Sequence, residues 1–503
     1  MKNFLVNLRY DLPASIVVFF VALPLCLGIA LASGAPLFAG IISGVIGGIV
    51  AGALSGSQLG VSGPAAGLAV IVYGYIATLG SYQGFLVAVC IAGILQIIMG
   101  YLRLGAIAYY FPSAVIKGML FGIGLMIIIK QFPHAVGYDN NVISDFEQFL
   151  DMGIISATGQ AINNITPIAV IISIISLSIL MIWDGFLMAK SKIFKIIQGP
   201  LVVVILGIII SNVVDLAEHQ IVQIPIAQNF EEFIGNFNFP DFELLKNPQI
   251  YLMGLVLAIV ASIETLLCVE ATDKLDQLKR ITPTNRELKA QGVSNLISGL
   301  IGGLPITQVI VRSSANISFG AKSKNSAIIH GVLLLICALS IPNILNMIPY
   351  ASLACILLVV GYKLAHPKIF IKVYKLGYQQ FIPFVITIIS MLMFDLLKGV
   401  IIGVVVAIIF ILLNNFRNAY ENIVDTKQHQ THLITLAQEV SFLNKGKILQ
   451  LLNSLPENSI VIIDGSKSTF IDFDIYEILR DFQKTAKSKN INLTLKGITT
   501  NKL

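Results

Sequence analysis

This chain is short of charge: only 12% of its 503 residues are Asp, Glu, Lys or Arg. A soluble domain carries about 25%, so a water-soluble globular protein is excluded at once. Tryptophan is represented by Trp183 alone, placed where it fits an interfacial anchor at the end of an apolar run. The cysteines, Cys26, Cys90, Cys268, Cys337 and Cys355, are odd in number and lack metal-site or disulfide spacing. They read as small buried hydrophobes. His134, His219, His330 and His366 have no ligand partner at i+3 or i+4, so no metal site is expected. Nucleophile–base pairs and phosphate-binding glycine loops are missing too. That points away from an enzyme and from ATP-driven transport, with no cofactor and no nucleic-acid partner.

What the chain does have is apolar sequence, 56% of residues, with a mean hydropathy of +0.85. Runs of about 20 apolar residues, the length that crosses a bilayer, recur from Leu12 to near Leu413. The first resembles a signal peptide, with Lys2 and Arg9 before it and Ala30-Leu31-Ala32 after it. It is longer than the usual h-region of about 7–15 residues, so it reads as a retained span. About fourteen spans are expected, seven before the loop around 215–248 and seven after it. That symmetry suggests a 7+7 inverted repeat.

Charge sets the orientation. Lys190, Lys192 and Lys195 share one loop, Lys274, Lys279, Arg280, Arg286 and Lys289 a second, and Lys363, Lys368, Lys372 and Lys375 a third. The loop with Asp139, Asp145, Glu147 and Asp151 carries no Lys or Arg. The positive-inside rule puts the basic loops in the cytoplasm. Fourteen spans then leave both termini of this multi-pass cytoplasmic-membrane protein cytoplasmic.

Two spans are broken at matching places in the two halves. The first break reads Gly60-Val61-Ser62-Gly63-Pro64-Ala65-Ala66-Gly67, the second Gly302-Gly303-Leu304-Pro305-Ile306-Thr307, with Arg312 soon after. Proline is favoured at the first position of a helix, where its missing N–H costs nothing. Pro64 and Pro305 are therefore expected to open two half-helices, over 64–80 and 305–317, at membrane depth. Facing half-helix N-termini offer free N–H groups and positive dipole ends, a seat for an anion. The expected anion-binding residues are Gly63, Pro64, Ala65, Ala66, Gly67, Pro305, Ile306, Thr307 and Arg312. Simple kinks are the plainer explanation of such breaks, but a matched pair favours the seat.

Glu264 stands inside an otherwise apolar span. An ionisable group there costs roughly 2.5–3.5 kcal/mol or more, which makes a functional site the default reading. Its expected role is to bind the coupling ion, Na⁺ or H⁺, with Thr307 as a second candidate ligand. The alternative is a structural hydrogen bond to a neighbouring helix. Arg312 lies seven residues past Pro305, two turns on the same face of one helix. It would attract the anion, or else snorkel to the cytoplasmic surface. Glu270, Asp273 and Asp276 read as solvated.

Past the spans the period changes. His432–Phe442, Ser459–Asp464 and Ile491–Lys496 read as strands, and Lys445–Leu452 and Asp474–Lys487 as helices, a small α/β domain. The expected division is a cytoplasmic N-terminus (1–11), a transport domain (12–415), a linker (416–430) and the α/β domain (431–503).

Three stretches resemble the sulfate permease (SulP) family of anion transporters. They are Ala22-Leu23-Pro24-Leu25 through Gly34, the Ser62-Gly63-Pro64 elbow, and Asn285 to Asn295 continuing through Pro305 to Arg312-Ser313-Ser314-Ala315-Asn316. The resemblance implies a membrane domain with core and gate subdomains and a C-terminal STAS domain, here abbreviated. Pro24-Leu25 is similar to the bicarbonate-transporting branch. Family members often hold an acid at the position of Glu264. Where STAS switches carry Asp-Ser-Ser, this chain has Ile471-Asp472-Phe473-Asp474, so that phosphorylation switch is not expected.

The leading expectation is a secondary active symporter of a small inorganic oxyanion, bicarbonate or sulfate, working by alternating access. An anion channel or exchanger on the same fold is the alternative, with a nucleobase or dicarboxylate permease behind it. Membrane lipid and a homodimer partner are expected. The tail is open to two roles, a dimer contact or a docking surface for a regulatory partner.

Overall fold

The computed structural model describes residues 2–106, 112–138, 165–187, 190, 194, 197–214, 216–226, 230–394, 396–417, 419–426 and 431–498. The acids Asp139, Asp145, Glu147 and Asp151, the basic Lys192 and Lys195, and linker residues 427–430 lie outside them. By contact density the chain divides into two units, Met1–Lys375 with Thr387–Val400, and Leu376–Ile386 with Ile401–Leu503.

Fourteen principal helices precede the α/β tail among the described residues. Seven come before the connection at 214–247: α1 (Lys2–Ala32), α2 (Leu37–Ile46, continued by a π-turn Gly47–Ala51), α3 (Ala66–Leu79), α4 (Tyr82–Tyr101), α5 (Ser113–Val136), α6 (Pro167–Ile182) and α7 (Gly199–Val213). Seven follow: α8 (Pro248–Leu275), α9 (Thr284–Leu300), α10 (Ile310–Ser318), α11 (Asn325–Ser340), α12 (Tyr350–Leu364), α13 (Tyr378–Met393) and α14 (Leu396–Arg417). α3 and α10 are short, and α10 has only 9 residues. α1 reaches back to Lys2, so residues 2–11 are helical and run without a break into the first span.

Within the first unit, contacts sort the helices into two bundles. α4 packs on α9 and α8, and α1 on α2 and α11; α5 packs on α12, and α6 on α12 and α7. Ile171, Ile174 and Met181 on α6 and Ile205 and Ile209 on α7 point outward, a surface that hydrocarbon satisfies and water does not. Trp183 departs from the interfacial-anchor expectation. It is buried, and its indole N–H donates to the carbonyls of Phe194 and Ile197 at 3.0 and 2.8 Å.

The tail is a four-stranded sheet in the order β3 (Tyr420–Thr426), β4 (Thr431–Leu436), β6 (Ile460–Asp464), β8 (Asn492–Lys496). β3 runs antiparallel to β4, and the rest are parallel. A short pair, β5 (Glu439–Val440) with β7 (Phe470–Ile471), splits the single strand expected over 432–442. β3 occupies residues expected to be linker. Helices α15 (Lys445–Asn453) and α16 (Phe473–Ser488) contribute Ile448, Ile475, Leu479 and Phe482 to a core with Ile434, Val461 and Ile463. Asp472 caps α16 through the Asp474 N–H. This is the small STAS-like α/β domain.

Candidate anion site

The two elbows do not open helices at their prolines. Residues preceding proline are pushed out of the helical region, and both elbows run extended as β1 (Ser62–Pro64) and β2 (Ile306–Gln308). The strands pair antiparallel, with Ser62 opposite Gln308, Gly63 opposite Thr307 and Pro64 opposite Ile306. The Val309 N–H extends the ladder to the Val61 carbonyl at 2.9 Å. Backbone that leaves the helix at membrane depth must find partners, and here each half of the chain supplies them to the other.

α9 secures what the ladder leaves. The Asn295 amide donates to the Ile306 carbonyl (3.0 Å) and to Gln96 Oε1 (2.7 Å), and its own oxygen accepts the Ile306 N–H. Gln291 Nε2 donates to Ser62 Oγ (2.7 Å) and to Glu287 Oε1 (2.9 Å). Ser298 and Ser43 hydroxyls donate to the Leu304 carbonyl at 2.7 and 3.1 Å. Glu287, Gln291 and Asn295 recur every fourth residue, a polar stripe down one helix face. That stripe was legible in the sequence and was read there only as part of a family motif.

α3 begins at Ala66 and α10 at Ile310. Arg312 therefore sits in the first turn of α10, and not two turns beyond Pro305 on a shared helix face. It is fully buried, which rules out snorkelling. Its Nη2 lies 3.4 Å from Cys26 Sγ, while Nε and Nη1 have no partner. The guanidinium presses on Gly63, where an added Cβ would collide with it.

Glu264 holds the equivalent place at α3. Its carboxylate accepts the Gly67 N–H, and a Cβ on Gly67 would lie 2.6 Å from Oε1. One turn on, Cys268 stands beside the Ile310 N–H at the start of α10. A single helix, α8, thus meets the starts of both half-helices with side chains at i and i+4. Cys268 is partly exposed, unlike the other four cysteines, and was missed because a thiol in an apolar run looks like filler.

The expected site residues therefore separate by depth. Gly63, Pro64, Ala65, Gly67, Pro305, Ile306, Thr307 and Arg312 are buried and form the floor, whereas Ala66 and Glu264 are partly exposed and form the rim with Cys268, Val309 and Ile310. Of the N–H groups expected to be open, those of Gly67 and Ile306 are taken by Glu264 and Asn295. Ala66, Val311 and Arg312 are first-turn donors with no acceptor among the described residues. The buried Thr307 hydroxyl is also unpartnered.

Beyond the end of α8 lies a polar cavity of about 280 Å³ lined by Ser57, Thr272, Asp273, Asp276, Arg280 and Thr282 among others. Asp276 is buried, contrary to the solvated expectation. Burial by itself raises its carboxyl, but Arg280 and the N–H groups of Leu278 and Arg280 outweigh it and hold it below the usual carboxylate range. Thr272 Oγ1 accepts from Gln308 Nε2 at 3.0 Å, joining the cavity wall to β2.

Residues 8–390 match the Sulfate permease family. The chain belongs to that family. A Bacillus subtilis (strain 168) protein named for sulfate transport, YvdB, is 29% identical over 403 residues, 80% of this chain and 73% of its own length. The bicarbonate transporter BicA of Picosynechococcus is 26% identical over 414 residues, covering 80% and 69%. Among solved structures, the transmembrane domain of a cyanobacterial BicA superposes with TM-score 0.62 at 24% identity, over 80% of this chain and 97% of that one. Murine Slc26a9, an anion transporter in an inward-facing state, superposes with TM-score 0.79 at 17% identity, over 98% and 86%. These likenesses bear out the SulP resemblance and the fold. The chain is a multi-pass membrane protein and an anion transporter.

Proposed function

We propose that the chain carries a small inorganic oxyanion, bicarbonate or sulfate, across the cytoplasmic membrane by alternating access, in symport with Na⁺ or H⁺. One observation carries this reading: Glu264 and two half-helix N-termini from opposite halves of the chain converge where β1 meets β2. The anion takes the free first-turn N–H groups of Ala66, Val311 and Arg312 and the two dipole ends. The Arg312 charge beneath Gly63 adds attraction, and the Thr307 hydroxyl is open to the anion or to a cation.

Coupling follows from like charge. Two unit charges about 4 Å apart repel by about 4 kcal/mol at a protein-like dielectric. An ionised Glu264 at the mouth of the seat therefore opposes the anion until Na⁺ or H⁺ neutralises it. Relatives named for sulfate and for bicarbonate support either cargo. The loop charges support cytoplasmic termini. A homodimer, and a regulatory partner at the STAS-like domain, complete the proposal.

The test is uptake of labelled bicarbonate, sulfate and a dicarboxylate into proteoliposomes under imposed Na⁺ or H⁺ gradients. Gradient-driven accumulation of one oxyanion is expected. Passive equilibration insensitive to both gradients would replace the symporter with a channel or exchanger.

A further inference from the structure

Tyr73 and Lys130 meet where α3 packs on α5. Tyr73 stands two turns beyond the start of α3, about 10 Å above the seat at 1.5 Å per residue. Its ring is buried and packs on Gly34, whose φ of +61° and lack of a side chain leave room for it: a Cβ there would come within 2.9 Å of the ring. The Lys130 ammonium of α5 lies 3.6 Å from the ring centroid. Lys130 is itself 9% exposed. A buried ammonium is expensive unless something repays its lost water, and an aromatic face does so best when desolvated.

The two residues stand on different helices. α3 starts at the seat and packs on α4 and α8 as well as on α5, whereas α5 packs chiefly on α12. At Gly28 against Leu357, where α1 meets α12, the contact is apolar. Apolar surfaces slide past one another at little cost, whereas a cation held on a ring has one favoured position.

We propose that Tyr73 and Lys130 form a latch that closes the seat on the side toward which α3 runs, the outer side by the loop charges. Opening to that side requires the ammonium to leave the ring. The latch rests on the alternating-access reading, but its test needs no substrate.

A single thiol introduced by Val70→Cys, one turn below Tyr73 on α3, reports whether that side is closed. The readout is its labelling by a membrane-impermeant maleimide added outside, measured over the background of the parent protein. Labelling is expected to be slow, and to become about fivefold to thirtyfold faster when Lys130→Met or Tyr73→Leu is added, the range that a cation–π contact implies. Lys130→Arg and Tyr73→Phe keep the cation and the ring face, and are expected to restore slow labelling. Equal rates in all variants, fast labelling before the latch is cut, or no rescue by the conservative pair would each overturn the latch. Any of these leaves the uptake result untouched, and failed uptake leaves the labelling result standing.

Discussion

The Arg312 guanidinium lies against the α-carbon of Gly63, each residue coming from a different half of the chain. No side chain fits between them. Gly63→Ala is expected to fold, because the obstructed atoms end a flexible side chain, but to push the guanidinium away from the elbow. A charged donor is worth about 1.5–3 kcal/mol. The half-saturation concentration for the transported anion should rise about tenfold or more, at that exchange rate between energy and affinity. An unchanged value in concentration-dependent uptake would remove Arg312 from the seat.

Glu264→Gln keeps the acceptor for the Gly67 N–H and removes the charge. Accumulation against a gradient should fall to the level of empty liposomes, while anion binding measured calorimetrically persists. Persistent gradient-driven uptake would assign coupling elsewhere.

Asn295→Leu strips the side chain that serves both the N–H and the carbonyl of Ile306. Each buried group left unpaired costs about 1–3 kcal/mol, so thermal unfolding of the purified protein should fall by several degrees or the chain should fail to fold. Thr307→Val, one residue on, discards a hydroxyl that has no partner. Melting should stay level there while the half-saturation concentration rises. Matching melting losses in both would mean that the hydroxyl is structural.

The fourteen-helix plan, the short α3 and α10, and the α/β tail were readable because hydropathy and period report removal from water, whether into the protein core or into hydrocarbon. The elbows were located correctly but given the wrong geometry. Pro64 and Pro305 mark where helix cannot continue, and nothing local says that the freed backbone pairs with a strand from the other half. The face on which Arg312 lies depends on that pairing, so counting helical turns from Pro305 failed. Cys268 escaped notice because its role arises only when α10 begins beside it. The polar stripe Glu287, Gln291, Asn295 shows the opposite case, a regular signal whose purpose lay in a distant partner.

Pairing β1 with β2 also has a consequence for how the protein is made. The first strand enters the membrane more than two hundred residues before its partner exists. At roughly 5–20 residues per second of synthesis, the wait is on the order of ten to fifty seconds. Throughout that interval the broken backbone around Gly63 has no permanent home in hydrocarbon. The first half must stay beside the insertion machinery, or in contact with water, until Ile306 to Gln308 arrive. Two separately synthesised halves should therefore be rescued only by being made together.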